Sequence, residues 1–186
     1  MADGLFYLDT REPHLVSDIA AVTLAATAKA LYPASAFPVL GSQYFNRPGK
    51  ALKIEMMLKL VTAATPGNVS FNVHWGTGAD ANGTLICAAG TPVAWVASLT
   101  KMCKVEFWLR CLTTGTAGTL EGMGVAFFDL THVLPNNSVA YFPLAGAAAS
   151  GALDLTQSFI PSIQMLRSGS TAETAQVQEL KVIALN

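Results

Sequence analysis

Charged side chains are scarce in this sequence: they make up 12% of its 186 residues, against 52% for hydrophobic residues, and the net charge at pH 7 is −1. A nearly neutral chain offers no electrostatic surface to nucleic-acid phosphates or to an anionic membrane, so we expect neither as a partner. The mean hydropathy of +0.42 is far from that of a disordered chain and is high for a solitary soluble monomer.

Long hydrophobic runs are missing as well. No apolar run reaches the roughly 18 residues that a membrane span needs, and the nearest approach, residues 19–31, is mostly Ala and Thr and contains Lys29. Large exposed apolar patches usually mark interaction sites, so we expect other protein chains to cover the apolar surplus. The opening residues, MADG, are acidic and polar without a basic region, which predicts synthesis in a cytoplasm without a secretory signal peptide.

Residues that could hold a metal ion or form disulfides are few. The histidines and cysteines are His14, His74, His132, Cys87, Cys103 and Cys111. No His or Cys pair has the spacing of a zinc site, so we expect no metal. An odd number of cysteines without a close pair predicts buried thiols in a reducing compartment rather than disulfides.

Motifs for catalysis are also absent. The sequence has no GxSxG elbow and no phosphate-binding glycine loop, and Gly122-Met123-Gly124 lies within a predicted strand that precedes no helix. Carboxylate pairs such as Glu121 and Asp129 occur by chance in any β-protein. We therefore expect no enzymatic activity, no catalytic residues and no cofactor.

Two segments alternate between apolar and polar residues with a period of two. Residues 52–60 (LKIEMMLKL) place Leu, Ile and Met at every even position, and residues 104–111 (KVEFWLRC) place Val, Phe, Leu and Cys at every odd position. Successive side chains of a strand point to opposite faces, so this period predicts strands with one face in a core and one face outside.

Further strands are expected between turn signals spaced about ten residues apart. The predicted strands are 52–63, 69–75, 84–89, 92–100, 102–113, 119–130, 139–143, 158–166 and 174–185. Residues 17–31 fit a helix or a strand, of which we favour the strand, and the Ala- and Gly-rich residues 145–152 are expected to form a loop. The sequence thus predicts an all-β protein: an antiparallel, jelly-roll-like β-sandwich in a single domain, 18–186, behind an N-terminal arm, 1–17.

Candidate interface residues come from two places. In the arm, a short apolar run containing Phe6 and Tyr7 is followed by charged residues including Arg11, a pattern that suits an edge strand or docking on a neighbouring subunit. On the strand 104–111, the period places Trp108 on the outer face with Arg110. Trp with Arg is enriched at interfaces, so we favour a subunit contact there over a sugar-stacking platform.

The order of several short motifs resembles a family of small structural proteins of tailed bacteriophages. These motifs are residues 45–50 (FNRPGK), 65–67 (TPG), 69–73 (VSFNV), 92–95 (PVAW), 109–111 (LRC), 118–119 (GT), 122–124 (GMG) and the closing 184–186 (ALN). They span about three quarters of the chain, and their order and spacing carry the resemblance rather than any one of them. The arm, residues 2–15, matches no pattern of the family.

The resemblance implies a virion protein, with a jelly-roll-like sandwich that decorates the capsid exterior as a homotrimer and cements the shell, after assembly in the host cytoplasm. The implied partners are further copies of the chain and the major capsid protein. An alternative is a carbohydrate-binding sandwich of a head fibre or tail component, with Trp108 at its site.

Overall fold

A computed structural model describes residues 14–27, 29–76, 83–88, 93–94, 96–128, 139–142, 148–168 and 173–185. These ranges form thirteen strands and one 3-10 helix. The strands are β1 His14–Ser17, β2 Val22–Thr23, β3 Lys29–Ala30, β4 Ala51–Val61, β5 Asn68–Gly76, β6 Thr84–Ala88, β7 Val93–Ala94, β8 Thr100–Thr113, β9 Thr119–Phe128, β10 Val139–Phe142, β11 Ala148–Ala149, β12 Ile160–Arg167 and β13 Thr174–Leu185; the 3-10 helix is Ala34–Ala36. Among these residues, no helix has the length and hydropathy that crossing a bilayer requires.

The strands form two antiparallel sheets. The large sheet has eight strands in the order β1-β13-β4-β8-β9-β10, with β2 also on β13 and β11 also on β9. The small sheet has five strands in the order β3-β12-β5-β6, with β7 also on β5. The predicted fold class is confirmed: the protein is an all-β, antiparallel sandwich.

The strand β4 forms although its composition favours a helix. Leu, Lys, Glu and Met, which fill most of β4, are all good helix formers. A helix, however, would scatter its alternating apolar residues around the axis, whereas a strand buries every one of them. In β4 the even positions from Leu52 to Leu60 are at most 1% exposed, so periodicity and tertiary burial override intrinsic propensity.

The core lies between the two sheets. Phe107 and Leu109 of β8 are fully buried there, in the same apolar cluster as Phe71 and Val73 of the small sheet. Gly122 allows this close approach, because a Cβ atom at this position would lie 3.0 Å from Phe107 Cζ and 3.1 Å from Cys87 Sγ. Gly122 is thus a point of close approach between the two sheets.

Aromatic rings close one end of the core. Trp75 stacks on Phe159 with 3.4 Å between ring centroids, and Phe45 packs against both. The buried Tyr32 hydroxyl donates to the Pro161 carbonyl at 2.6 Å and accepts from the Ile163 amide. These bonds tie the segment before β4 to strand β12.

The structure corrects three of the predicted elements and leaves one segment untested. Residues 17–31 were expected to form a strand, but among the described residues after Ser17 only Val22–Thr23 and Lys29–Ala30 do so. Residues 92–100 were expected to form one strand, but β7 covers only Val93–Ala94 and residues 96–99 are irregular before β8 begins. Residues 145–152 were expected to be a loop, yet Ala148 and Ala149 pair with β9. Of the predicted arm, residues 1–13 lie outside the described residues, whereas His14–Ser17 pairs with β13 at the sheet edge. The single-domain assignment stays a prediction.

Candidate functional site

The outer face of the large sheet carries side chains in rows that run across neighbouring strands. One row joins Lys53, Trp108 and Met123, and the next joins Ala51, Arg110 and Glu121. The outward side chains of directly paired residues lie about 5 Å apart, so the members of each row are in reach of one another. This face therefore displays charged, aromatic and thioether groups side by side.

Four charged residues, which we call the charge quartet, occupy the centre of this face. Lys53 Nζ lies 2.5 Å from Glu55 Oε1 and 3.2 Å from Glu106 Oε2, and Lys104 Nζ lies 2.5 Å from Glu106 Oε1. Glu55 and Glu106 are direct cross-strand partners and would repel each other without the two lysines. The charge quartet is neutral as a unit.

The pKa values of the charge quartet follow from these contacts. Burial of Lys53 opposes its charge, but hydrogen bonds to Glu55 and Glu106 outweigh that effect and raise its pKa. The hydrogen bond from Lys104, helped by Lys53, lowers the pKa of Glu106 against the opposing effect of burial. Both shifts favour the charged forms, so the pairs are formed at neutral pH.

A pocket of about 340 Å³, which we call the Trp108 pocket, opens beside the charge quartet and is lined by Ala51, Trp108, Arg110, Glu121 and Met123. Arg110 Nη2 pairs with Glu121 Oε2 along its wall. Lys53 Nζ lies 5.1 Å from the Trp108 ring centroid, and Lys53 is not among the lining residues. The indole ring thus has a cation on one side and contributes another part of its surface to the pocket.

At the other end of the same face, exposed apolar side chains form what we call the Met102–Phe127 patch. Met102 is 41% exposed and Phe127 is 42% exposed. Phe127 pairs with Lys104, which follows Met102 by two residues on the same face of β8. Exposed large apolar groups that neighbour one another are a feature of interaction surfaces.

The outer face of the small sheet is different where β5 pairs with β12, since three polar side chains there are uncharged and buried. Ser70, Ser162 and Gln164 are at most 6% exposed. His74 Nδ1 donates to the Gly83 carbonyl at 3.0 Å, because a carbonyl can only accept. Within the described residues, His74 Nε2 and Gln164 Oε1 are buried without a hydrogen-bond partner.

A buried ion pair near the end of β12 has a structural role. Arg167 Nε lies 3.6 Å from Glu173 Oε2 and donates to the Leu24 carbonyl at 3.3 Å, while Glu173 Oε1 accepts from the Gly67 amide at 3.2 Å. These contacts join three separate segments at one end of the sandwich. Because they hold these segments together, we assign them to folding.

The sequence-predicted interface residues fall into two groups. Trp108 and Arg110 lie together on the outer face of the large sheet, Trp108 half-buried and Arg110 exposed. Phe6, Tyr7 and Arg11 lie outside the described residues. Sequence reasoning missed Ala51 and Met123 as neighbours of Trp108, and it missed the Met102–Phe127 patch, although the period of two already placed Met102 on the outer face.

The cysteine positions match a role in packing. All three are free and buried. Burial raises the pKa of the Cys87 thiol to about 12 and also raises the pKa values of Cys103 and Cys111. Within the described ranges, no group of three or more His, Cys, Asp or Glu side chains is arranged to hold a metal ion.

Comparison with known proteins identifies no family for this chain. No protein-family model matches the sequence, and no curated protein matches it. Among solved structures, a peanut lectin chain with a bound 9mer peptide is similar over 93% of this chain and 92% of the lectin chain, at 9% sequence identity and a TM-score of 0.37. A likeness at this level carries no argument about function.

Proposed function

We propose that this protein is a structural component of a bacteriophage virion, a head decoration protein that binds the capsid exterior as a homotrimer and stabilises the shell. The resemblance in sequence supplies the virion context. The outer face of the large sheet supports a role in assembly, because it presents the Met102–Phe127 patch beside the charge quartet. We propose no catalytic activity.

The observation that carries the assembly role is the exposure of Met102 and Phe127 next to charges that are already neutralised within the chain. When copies of one chain meet, they bring equivalent charges close together, and unpaired charges would repel. Internally paired charges avoid that repulsion and leave the apolar groups to supply the favourable free energy. The patch therefore suits contact with further copies of this chain.

Trimerisation would also strengthen binding to a shell. A single subunit needs only a weak contact with the capsid protein, because joining three subunits makes the second and third contacts intramolecular and raises their effective concentration. Binding to the assembled shell and not to its dissociated subunits stabilises the shell by mass action. In this proposal Phe6, Tyr7 and Arg11 keep their predicted place as contact residues, and the contact between subunits rests on the Met102–Phe127 patch without requiring Trp108 or Arg110.

The proposal is tested on particles. Cryo-electron microscopy of virions produced with and without the gene for this chain should show three-fold density of sandwich shape on the outside of the head, present only with the gene. Heads without the protein should release their genome at a lower temperature. Density confined to the tail, or heads of unchanged thermal stability, would contradict a cementing role.

A further inference from the structure

The Trp108 pocket lies where one outward residue of β4 has a short side chain. Along β4 the outward residues before Val61 are Ala51, Lys53, Glu55, Met57 and Lys59. Ala51 is the only one with a short side chain, and it pairs with Arg110. A longer side chain at Ala51 would occupy the space between Trp108 and Arg110, so the pocket exists because this position is an alanine.

The walls of the Trp108 pocket combine an aromatic surface with hydrogen-bonding groups. Trp108 and Met123 provide apolar contact. The guanidinium of Arg110 has five N–H donors, and its Nη2 faces Glu121 Oε2, which leaves donors for another acceptor. A volume of about 340 Å³ lies at the small end of the range for small-molecule sites.

The charge of the pocket restricts its ligand. Arg110 and Glu121 neutralise each other, so an anionic group approaching Arg110 would meet the Glu121 carboxylate, and a cationic group approaching Glu121 would meet the guanidinium. An apolar side chain would cover Arg110 without bonding to its remaining donors, which costs free energy. A ring with an apolar C–H face and several uncharged hydroxyls satisfies both the indole and the ion pair.

We propose that the Trp108 pocket binds an uncharged pyranose ring of a glycan, with the ring against Trp108 and its hydroxyls bonded to Arg110 and Glu121. This inference goes beyond the decoration role and does not depend on it. The Met102–Phe127 patch begins at the row of Lys104, four residues along β8 from Trp108, which corresponds to about 13 Å. Subunit contact at the patch and sugar binding at the pocket can therefore coexist.

The test measures binding of free glucose, galactose and mannose to the full chain by saturation-transfer NMR, and binding of neutral oligosaccharides on an array. We expect at least one neutral sugar to bind saturably, with a dissociation constant on the order of 1 mM for a single ring. The free sugars and the arrayed oligosaccharides distinguish recognition of a single sugar from recognition of a residue within a glycan chain.

Two variants and one control locate the site. Trp108→Ala removes the aromatic wall and Ala51→Leu fills the pocket while leaving Trp108 in place; each should weaken binding at least tenfold. Val61→Leu enlarges a residue on the same face at the far end of β4 and should leave binding unchanged. Thermal unfolding of each variant is the control that tests whether the fold is retained.

Four results would overturn the inference. The first is that no neutral sugar binds at about 50 mM ligand, and the second is that a sugar binds but both pocket variants leave its binding intact. The third is that a sialic acid or a sugar phosphate binds more tightly than every neutral sugar. The fourth is that Trp108→Ala abolishes the oligomer. The last result would make the pocket a subunit contact and would support the decoration proposal instead, so the two proposals fail separately.

Discussion

Polar side chains on the outer faces of the two sheets differ in charge and in solvent exposure. On the large sheet, Lys53 and Glu106 are charged, paired and in contact with solvent. On the small sheet, Ser162 and Gln164 are uncharged and at most 2% exposed. The large sheet thus presents a surface that remains available for a partner, whereas the outward side chains of Ser162 and Gln164 on β12 belong to the interior of the folded chain. Matched substitutions on the two faces should therefore differ sharply in cost.

The largest expected difference comes from the same substitution on each face. Gln164→Glu places a carboxylate in a fully buried position and should lower the free energy of unfolding by about 3 kcal/mol or more at pH 7. Gln176→Glu on the large sheet lies opposite the exposed Lys59 and should change it by less than about 0.5 kcal/mol. Urea denaturation of both variants makes the comparison.

The pH dependence of Gln164→Glu adds a check on the cause. A buried carboxyl has a folded-state pKa above its unfolded value, so the penalty is present at neutral pH and should shrink as the pH falls towards about 4, where the unfolded carboxyl is also protonated. Equal costs for the two Gln→Glu variants would show that the side chain of residue 164 is not part of the interior.

A smaller effect on the free energy of unfolding is expected from removing one lysine of the charge quartet. Lys53→Met leaves Glu55 and Glu106 facing each other across β4 and β8 and should cost about 1 kcal/mol at low ionic strength. The cost should fall at about 1 M salt because exposed charges are screened. Lys59→Met, on the same face of β4, is the control and should stay within about 0.5 kcal/mol. A Lys53→Met cost that salt does not change would contradict the electrostatic explanation.

The pH dependence of the free energy of unfolding should reveal the ion pairing of Glu106. Its pKa is lowered from the ordinary value of 4.5, so its pairing stabilises the fold above that pH and is lost as the pH falls through the lowered folded-state value. Glu106→Gln should therefore flatten the fall in stability below about pH 4.5, by at most about 1 kcal/mol because the site is partly solvated. Urea midpoints between pH 7 and pH 3 give the two curves; coincident slopes would show that Glu106 is not held by its lysines.

The smallest effect on folding is expected at the Met102–Phe127 patch. Met102→Ser exposes little new surface, because Met102 is already 41% exposed, and should change the free energy of unfolding measured at submicromolar protein by less than about 0.5 kcal/mol. Chemical denaturation at that concentration is the measurement. A cost above about 2 kcal/mol would show that Met102 packs within the chain rather than being available to a partner.

The fold was predictable where the period of two persists over many residues. The buried even positions of β4 and odd positions of β8 are visible in the sequence, because each strand has one face in the core. The short strands were not predictable: Ala148 and Ala149 have low strand propensity, and they pair with β9 beyond the part of that strand that β10 pairs with. Strand content that depends on a neighbour leaves no local pattern.

The candidate site depended on a register that the sequence does not show. The turn after β8 pairs Thr113 with Thr119, and an uninterrupted hairpin would then place Gly122 opposite Arg110. A bulge between Cys111 and Thr113 shifts the pairing by one residue and brings Glu121 opposite Arg110 instead. Since a shift of one residue exchanges the faces of a strand, the Trp108 pocket exists only with this bulge.

The backbone conformations of the turns were also only partly predictable from the sequence. Gly115 adopts a φ of +93° in the turn between β8 and β9, as a glycine in a hairpin turn permits. Gly67 does not adopt a positive φ; a Cβ there would instead overlap the Ser168 carbonyl oxygen. The glycine is needed for a contact between segments about 100 residues apart, which no local pattern reports.

The most direct test of the account is the mass of the protein in solution. Sedimentation equilibrium at micromolar concentration should give the mass of three chains for the natural sequence, and of one folded chain when Met102 and Phe127 are both changed to serine. A single-chain mass for the natural sequence, or a trimer that survives the double substitution, would contradict the claim that the large sheet's outer face joins copies of this protein.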